Sequence, residues 1–88
     1  MHYLYVLQFK NDLGFYVGQT KDLNIRLKEH RQGKTKSIQH RGEFILVYYE
    51  AYKSKKDATK REWKIKHYAK VKKDLIGSIE NSLISKDK

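Results

Sequence analysis

The feature that most constrains the fold is a pair of short apolar runs near the N-terminus. Residues 3–9 (YLYVLQF) and residues 15–19 (FYVGQ) are rich in aromatic and β-branched side chains, which are typical of strands. The segment between them, KNDLG, contains the Asn, Asp and Gly that favour a turn. Two strands joined by so short a turn form an antiparallel hairpin. The sequence therefore predicts a small sheet that begins with this hairpin.

A helix, a basic loop and a further strand are predicted next. Thr20 or Asp22 can cap a helix over about residues 23–32, which Gly33 ends. Residues 31–43 (RQGKTKSIQHRGE) predict a basic loop. The run FILVYYEAY that follows is the most apolar of the chain, and we expect it to form the central or best-buried strand.

A second helix and a helical tail complete the chain. Ser54 and Asp57 resemble a capping box, and the helix that they begin should extend to about residue 70. Three apolar side chains of the tail recur at four-residue spacing and predict a short amphipathic helix interrupted near Gly77: Leu75, Ile79 and Leu83.

The 88 residues suffice for one domain of the α+β class. The order ββαβα predicts a sandwich-like fold, with a mostly antiparallel three-stranded sheet flanked by helices. We expect residues 1–70 to form the domain, and residues 71–88 to form a tail that packs on it or extends from it.

The amino-acid composition limits the classes of function that are possible for this chain. Twenty basic and ten acidic residues give a net charge of +10, which favours contact with nucleic acid; the alternative is a solvated, lysine-rich surface. The absence of cysteine excludes disulfides, zinc fingers and thiol catalysis, and it suits a reducing compartment. The N-terminal apolar run is too short to span a bilayer. We therefore expect a soluble, cytoplasmic protein with no membrane association.

The first helix places two polar groups beside its inward face. At about 100° per residue, Leu23 and Leu27 define that face, and Arg26 and His30 lie next to it. They can be packing residues at the rim of the core or groups that act in a site.

The second helix places a carboxylate on its inward stripe. Four residues share that stripe: Ala58, Glu62, Ile65 and Ala69. A buried carboxylate is costly unless it is paired or bound to a metal. Glu62 can therefore form a structural ion pair with Arg26 or Arg61, or bind a hard cation such as Mg²⁺.

Tyr5 and Tyr16 lie on the two strands of the hairpin, where their side chains can face each other. Gly18 permits a close approach of the backbone or a tight exit from the strand. Most strand tyrosines are packing residues. Two tyrosines, an arginine, a histidine and a glutamate on one side of a sheet would, however, suit phosphodiester hydrolysis.

These residues carry a family resemblance. The segments YLY (residues 3–5) and YVG (residues 16–18) resemble the paired strand motifs of the GIY-YIG nucleases. The segments QTKDLNIRLKEH (residues 19–30) and SKKDATKREWKIK (residues 54–66) are similar to the family elements that supply an arginine, a histidine and a metal-binding glutamate. The likeness is greatest to small stand-alone bacterial members related to the N-terminal domain of the excision-repair protein UvrC.

The chain departs from the family pattern at several positions. Tyr3 and Leu4 replace the glycine and isoleucine of the first motif, and Gln19 stands where some relatives carry lysine. An asparagine that some members carry after the glutamate has no clear match.

The resemblance implies a metal-dependent DNA endonuclease in repair or recombination, with structure-selective cleavage as one option. Glu62 would hold one divalent ion, Mg²⁺ or Mn²⁺, and Arg26 would stabilise charge on the phosphate. Tyr16 would help to deprotonate the attacking water. Tyr5 and His30 would complete the hydrogen-bond network, with His30 as the second candidate for the base.

Two alternatives stay open: a nucleic-acid-binding module that does not cleave, and a subunit that is active only with a partner protein docked on the tail. We otherwise expect a monomer. Four loop residues are the predicted DNA contacts, with Lys21 and Lys28 as weaker candidates: Lys34, Lys36, His40 and Arg41. Trp63 lies off the inward stripe, and covering the tail is favoured over stacking on a base.

Overall fold

The computed structural model describes residues 1–85 and confirms the predicted α+β class and the antiparallel three-stranded sheet. The elements in chain order are β1 (His2–Phe9), β2 (Phe15–Thr20), α1 (Leu23–Arg31), β3 (Phe44–Tyr52), α2 (Lys55–His67), α3 (Ala69–Ser78) and a short 3₁₀ helix (Glu80–Ser82). None of the helices within residues 1–85 has the length and apolar character needed to cross a bilayer.

β1 is the central strand, because the sheet order is β2-β1-β3 and both pairings are antiparallel. Residues 4–9 of β1 are all buried, whereas Val47 is the only buried residue of β3. The prediction that residues 44–52 form the central, best-buried strand is therefore wrong. Apolar composition does not distinguish an edge strand from a central one when helices cover both faces of the sheet.

Alternate residues of β1 face two separate cores. Tyr5, Leu7 and Phe9 pack on one face with Leu27 of α1 and with Ile38 of the following loop. The other face of the sheet packs against α2 and α3, in a cluster built on Leu4, Val6, Val17, Val47, Ile65 and Leu75. The molecule is thus a sheet between helices, as predicted, and α1 and α2 lie on opposite faces.

The helix ends follow the sequence signals only in part. The side chain of Asp22, the second of the two predicted caps, accepts a hydrogen bond from the Ile25 amide at 3.0 Å. α2 ends at His67 instead of near residue 70, because Tyr68 is extended (φ −114°, ψ 106°) and begins a new helix. Ala69, predicted on the inward stripe of α2, is consequently an exposed residue of α3.

The described part of the tail packs on the same core. Leu75 is buried, and Ile79 and Leu83 pack partly buried against the cluster that it joins. Gly77 does not interrupt α3, which ends one residue later at Ser78. The tail residues 86–88 lie outside the described residues.

Candidate active site

Two tyrosines and a histidine meet on the α1 face of the sheet. The Tyr5 hydroxyl is hydrogen-bonded to His30 Nε2 at 2.7 Å, with the histidine placed by the last turn of α1. The Tyr16 ring centroid lies 6.3 Å from that of Tyr5 and 5.5 Å from that of His30. The hairpin register and α1 thus bring three of the five predicted catalytic residues into direct contact.

Gly18 makes room for Tyr5. The two residues are direct partners in the hairpin register, and a Cβ at Gly18 would lie 2.6 Å from the Tyr5 hydroxyl oxygen. A side chain could occupy that position only if the Tyr5 ring moved. The close approach predicted at Gly18 is therefore made by the Tyr5 side chain and not by backbone. The glycine leaves the space that the Tyr5 hydroxyl occupies.

His30 is more deeply buried than its predicted place at the rim of the core, with 4% of its surface exposed. Its second ring nitrogen, Nδ1, is hydrogen-bonded to Thr35 Oγ1 at 2.7 Å. Burial, and then the nearby charge of Arg26, lower the pKa of His30, so that its neutral form is favoured. Thr35 was not among the predicted site residues, because a loop threonine carries no distinguishing signal.

Arg26 extends from α1 toward the tyrosines. Its Nη1 atom donates a hydrogen bond to Glu29 Oε1 at 3.2 Å, and one-third of its side chain is exposed. Burial raises the pKa of Tyr5 to about 12, and the neighbouring Arg26 opposes part of that rise. Tyr5 therefore stays protonated at neutral pH and can donate or accept a hydrogen bond.

Glu62 is partly buried, with 18% of its side chain exposed, and both carboxylate oxygens have partners. Gln19 Nε2 donates to Oε1 at 2.8 Å, and Lys66 Nζ donates to Oε2 at 2.8 Å. Glu62 forms an ion pair, but the predicted partners, Arg26 and Arg61, are wrong, because the cation that pairs with Glu62 is Lys66.

Arg61 is held by a separate network on β3. It donates to Glu50 through Nε at 3.1 Å and through Nη2 at 3.1 Å, and the hydroxyls of Tyr48 and Tyr52 also donate to Glu50. Burial would raise the pKa of Glu50, but these hydrogen bonds outweigh burial and hold the pKa below its usual value. Arg61 is therefore not available to Glu62.

Gln19 joins β2 to α2 at the site. Its Oε1 atom accepts hydrogen bonds from His2 Nε2 at 3.0 Å and from Thr59 Oγ1 at 3.0 Å, while its amide nitrogen donates to Glu62. With the amide held at both ends, the Glu62 carboxylate is fixed in orientation. Gln19, whose place in the family pattern was uncertain, is thus the residue that positions Glu62.

Lys66 connects Glu62 with the tyrosines. Its Nζ atom contacts Glu62 and also lies 6.0 Å from the centroid of the Tyr16 ring. The structure therefore places four of the five predicted catalytic residues around the Tyr5–His30 hydrogen bond on the α1 face. The fifth, Glu62, lies on α2 and is linked to Tyr16 through Lys66. The spacing of Lys66, four residues after Glu62, was a signal in the sequence that could have identified it.

Within residues 1–85, the basic loop supplies two lysines and a histidine without ion pairs, and one arginine that is paired. Lys34, Lys36 and His40 are exposed and form no ion pair within residues 1–85. Arg41 instead pairs with Asp12 at 3.3 Å and covers the Phe9 ring at 3.9 Å. Its main contacts attach the loop to the hairpin turn.

The donor set fits a hard divalent cation held by one carboxylate. No group of three or more His, Cys, Asp or Glu side chains suited to a metal occurs within residues 1–85. Glu62 already pairs with a positive group, the Lys66 ammonium. Mg²⁺ and Mn²⁺ can bind through one carboxylate when water and substrate phosphate supply the remaining ligands.

Comparisons with known proteins identify relatives of this chain. A family model, the GIY-YIG catalytic domain, matches residues 1–74. The UPF0213 protein BH0048 of Halalkalibacterium halodurans is 39% identical over 80 residues, which cover 90% of this chain and 84% of that protein. A UPF0213 protein of Staphylococcus aureus strain Mu3 is 38% identical over 73 residues, 82% of this chain and 88% of that protein.

A solved structure extends the agreement to the fold. The solution NMR structure of the UPF0213 protein BH0048 from Bacillus halodurans has a TM-score of 0.56 and 40% identity, covering 88% of this chain and 82% of that one. The resemblance seen in the two strand motifs is confirmed, and the chain belongs to the GIY-YIG nuclease family.

Proposed function

We propose that this protein is a divalent-metal-dependent DNA endonuclease that hydrolyses phosphodiester bonds. The observation that carries the proposal is the convergence of Tyr5, Tyr16, Arg26 and His30 beside a Glu62 carboxylate whose orientation Gln19 fixes. A role in repair or recombination, and selectivity for DNA structure, rest on the family resemblance.

Glu62 is the residue that would hold Mg²⁺ or Mn²⁺. When bound, the ion would supply Lewis-acid stabilisation of the phosphate and the leaving oxygen. Lys66 neutralises the carboxylate in the structure described here, and its flexible stem allows it to move aside without a change of backbone.

Tyr16 is the better candidate for the group that takes the proton of the attacking water. Its side chain is only partly buried, and two positive groups, Lys66 and Arg26, lie near it. His30 is buried, and both its ring nitrogens are hydrogen-bonded, to Tyr5 and Thr35. His30 therefore acts by positioning Tyr5.

Arg26 provides the fixed positive charge for the phosphate. Its guanidinium lies at the edge of the tyrosine cluster and keeps one-third of its side chain exposed to an incoming ligand. A preorganised cation in a partly dehydrated site stabilises the charge that develops on the transferring phosphoryl group.

The proposal is tested with labelled single-stranded, duplex, flap and branched DNA, incubated with Mg²⁺, with Mn²⁺ and with EDTA. We expect cleavage of at least one substrate that requires the metal and is lost in Glu62→Ala. Absence of cleavage on every substrate with both metals would contradict the proposal for the isolated chain.

The second candidate is a nucleic-acid-binding module that does not cleave. It is favoured by one observation, the occupation of both Glu62 oxygens by Gln19 and Lys66. In that case DNA would still bind, as measured by gel shift, and Glu62→Ala would leave that binding unchanged with and without metal.

A further inference from the structure

Trp63 lies on the outer surface of α2, where half of it is exposed. Within residues 1–85, the ring contacts of its indole are with His67 and Tyr68 and not with the tail. It stacks on His67, with ring centroids 4.4 Å apart and planes at 15°, and meets the Tyr68 ring edge-on at 5.5 Å. These three residues, the aromatic platform, form an exposed aromatic surface that contributes to neither core.

The free side of the indole opens onto a groove. His67 lies one turn after Trp63 in α2 and covers one face of the indole. The other residues that line the groove come before Trp63 in the sequence or directly after it. A groove of about 730 Å³ is lined by Thr59, Trp63 and four lysines, Lys55, Lys56, Lys60 and Lys64. The lining is mostly carbon, because the indole and the lysine stems form it and the ammonium groups project to the rim.

The four groove lysines have no acidic partners in residues 1–85. The ion pairs of that part of the chain involve Lys10, Arg26, Arg41, Arg61 and Lys66. An apolar floor with four unpaired cations at its rim is complementary to a ligand that has flat apolar groups and a repeating negative charge. Single-stranded nucleic acid has both.

The groove also borders the candidate active site. Thr59 lines the groove and donates a hydrogen bond to Gln19, which in turn holds Glu62. Only two hydrogen bonds therefore separate the groove wall from the predicted metal ligand. A strand with a phosphate at Glu62 would therefore lie close to the groove wall at Thr59.

We propose that the outer face of α2 binds an unpaired segment of DNA, with a base stacked on Trp63 and the adjacent phosphates contacted by the groove lysines. Every base has a face that can stack, so this contact does not read sequence. A base inside a duplex has its faces covered, and it cannot stack on Trp63 without leaving the helix. The groove therefore selects single-stranded segments next to the scissile bond. The role of the groove in cleavage rests on the proposed function, whereas the binding of single-stranded DNA to the groove does not.

Intrinsic fluorescence tests the contact directly, because Trp63 is the single tryptophan of the chain. The full chain carrying Glu62→Gln is titrated in EDTA with a thymidine oligonucleotide of about 12 nucleotides, within the usual range of single-strand site sizes. We expect strong quenching by the single strand and little by a blunt duplex at equal saturation. Saturated binding of the single strand with unchanged fluorescence would overturn the proposal.

Variants measured by anisotropy of the labelled oligonucleotide give an independent test. Trp63→Ala should weaken single-strand binding about 5- to 100-fold and leave duplex binding nearly unchanged, whereas Trp63→Phe should keep most of the affinity. Tyr49→Ala, an equally exposed aromatic on the other face of the sheet, is the matched control and should have no effect. Equal affinities of wild type and Trp63→Ala would overturn the proposal.

Three further outcomes separate this inference from others. If wild type sediments as a dimer and Trp63→Ala as a monomer, the platform binds a second copy of the chain and the proposal is wrong. If Trp63→Ala still cleaves DNA and binds single strands as well as wild type does, the groove proposal is wrong but the proposed nuclease function stands. Binding with quenching but without cleavage would support the groove while the proposed nuclease function fails.

Discussion

At the scale of single residues, the site depends on one close contact and one hydrogen-bonded amide. Tyr5 occupies the space above Gly18 that any other residue would fill with its side chain. Gln19 fixes the Glu62 carboxylate from one side, while Lys66 binds it from the other. Two adjacent residues at the end of β2 thus set the positions of the phenol and the carboxylate.

Gly18→Ala should displace the Tyr5 ring and destabilise the fold by about 1–3 kcal/mol, because a methyl group there overlaps the phenol. Urea unfolding measures the change. Gly77→Ala is the control: it lies in α3 with open space around its Cβ position, and it should stabilise by up to about 1 kcal/mol. Equal stabilities of the two variants would contradict the account.

Gln19→Ala should lower the affinity for Mn²⁺ about 10-fold, since it frees the Glu62 carboxylate to rotate. Direct titration of Mn²⁺ by electron paramagnetic resonance measures the affinity without relying on activity. Thr59→Val removes a contact to Gln19 but none to Glu62, so its effect should be smaller. A larger loss in Thr59→Val than in Gln19→Ala would argue against the positioning role.

At the scale of elements, residue spacing predicted which side chains share a helix face. Strand composition, in contrast, did not predict the order of the strands in the sheet. Arg26, His30 and Glu62 were selected as candidates because one face of a helix can be read from residue spacing. The edge position of β3 could not be read in this way, since its apolar residues face cores on both sides. Nor could the break at Tyr68, which has neither a glycine nor a proline to mark it.

α2 is attached to β3 by an ion pair at the rim of the core as well as by the packing of Ile65. Arg61→Ala should cost about 1–2 kcal/mol of unfolding free energy, because Glu50 would lose its charged partner while remaining mostly buried. Lys64→Ala, an exposed position on the same helix, should change it by less than about 0.5 kcal/mol. Thermal or urea unfolding compares the two, and similar costs would rule out this attachment.

At the scale of the whole molecule, the net charge of +10 is spread over a small fold that holds a cluster of titratable groups between α1 and the sheet. Fold class, hairpin and helix order followed from the sequence because each has a local signal. The Gln19 partner of Glu62 and the Thr35 partner of His30 did not, because these two residues acquire their roles only through packing.

Stability should rise with pH up to about 6.5, the usual pKa of histidine, and then level off. The folded state lowers the pKa of His30, so the unfolded state binds its proton more tightly and acid favours unfolding. The lowered pKa of Glu50 acts in the same direction, but only in the more acidic range where carboxylates titrate. His30→Gln should remove the dependence just below about pH 6.5, as measured by urea unfolding across pH.

The central claim is that Glu62 serves the chemistry of the cluster around Tyr16. The most direct test is the single-turnover cleavage rate of Glu62→Gln, measured on the best DNA substrate with Mg²⁺ and compared with that of Glu80→Gln, an exposed glutamate in the 3₁₀ helix. We predict a loss of at least about 100-fold for Glu62→Gln and an unchanged rate for Glu80→Gln. Equal rates for the two variants would contradict the claim.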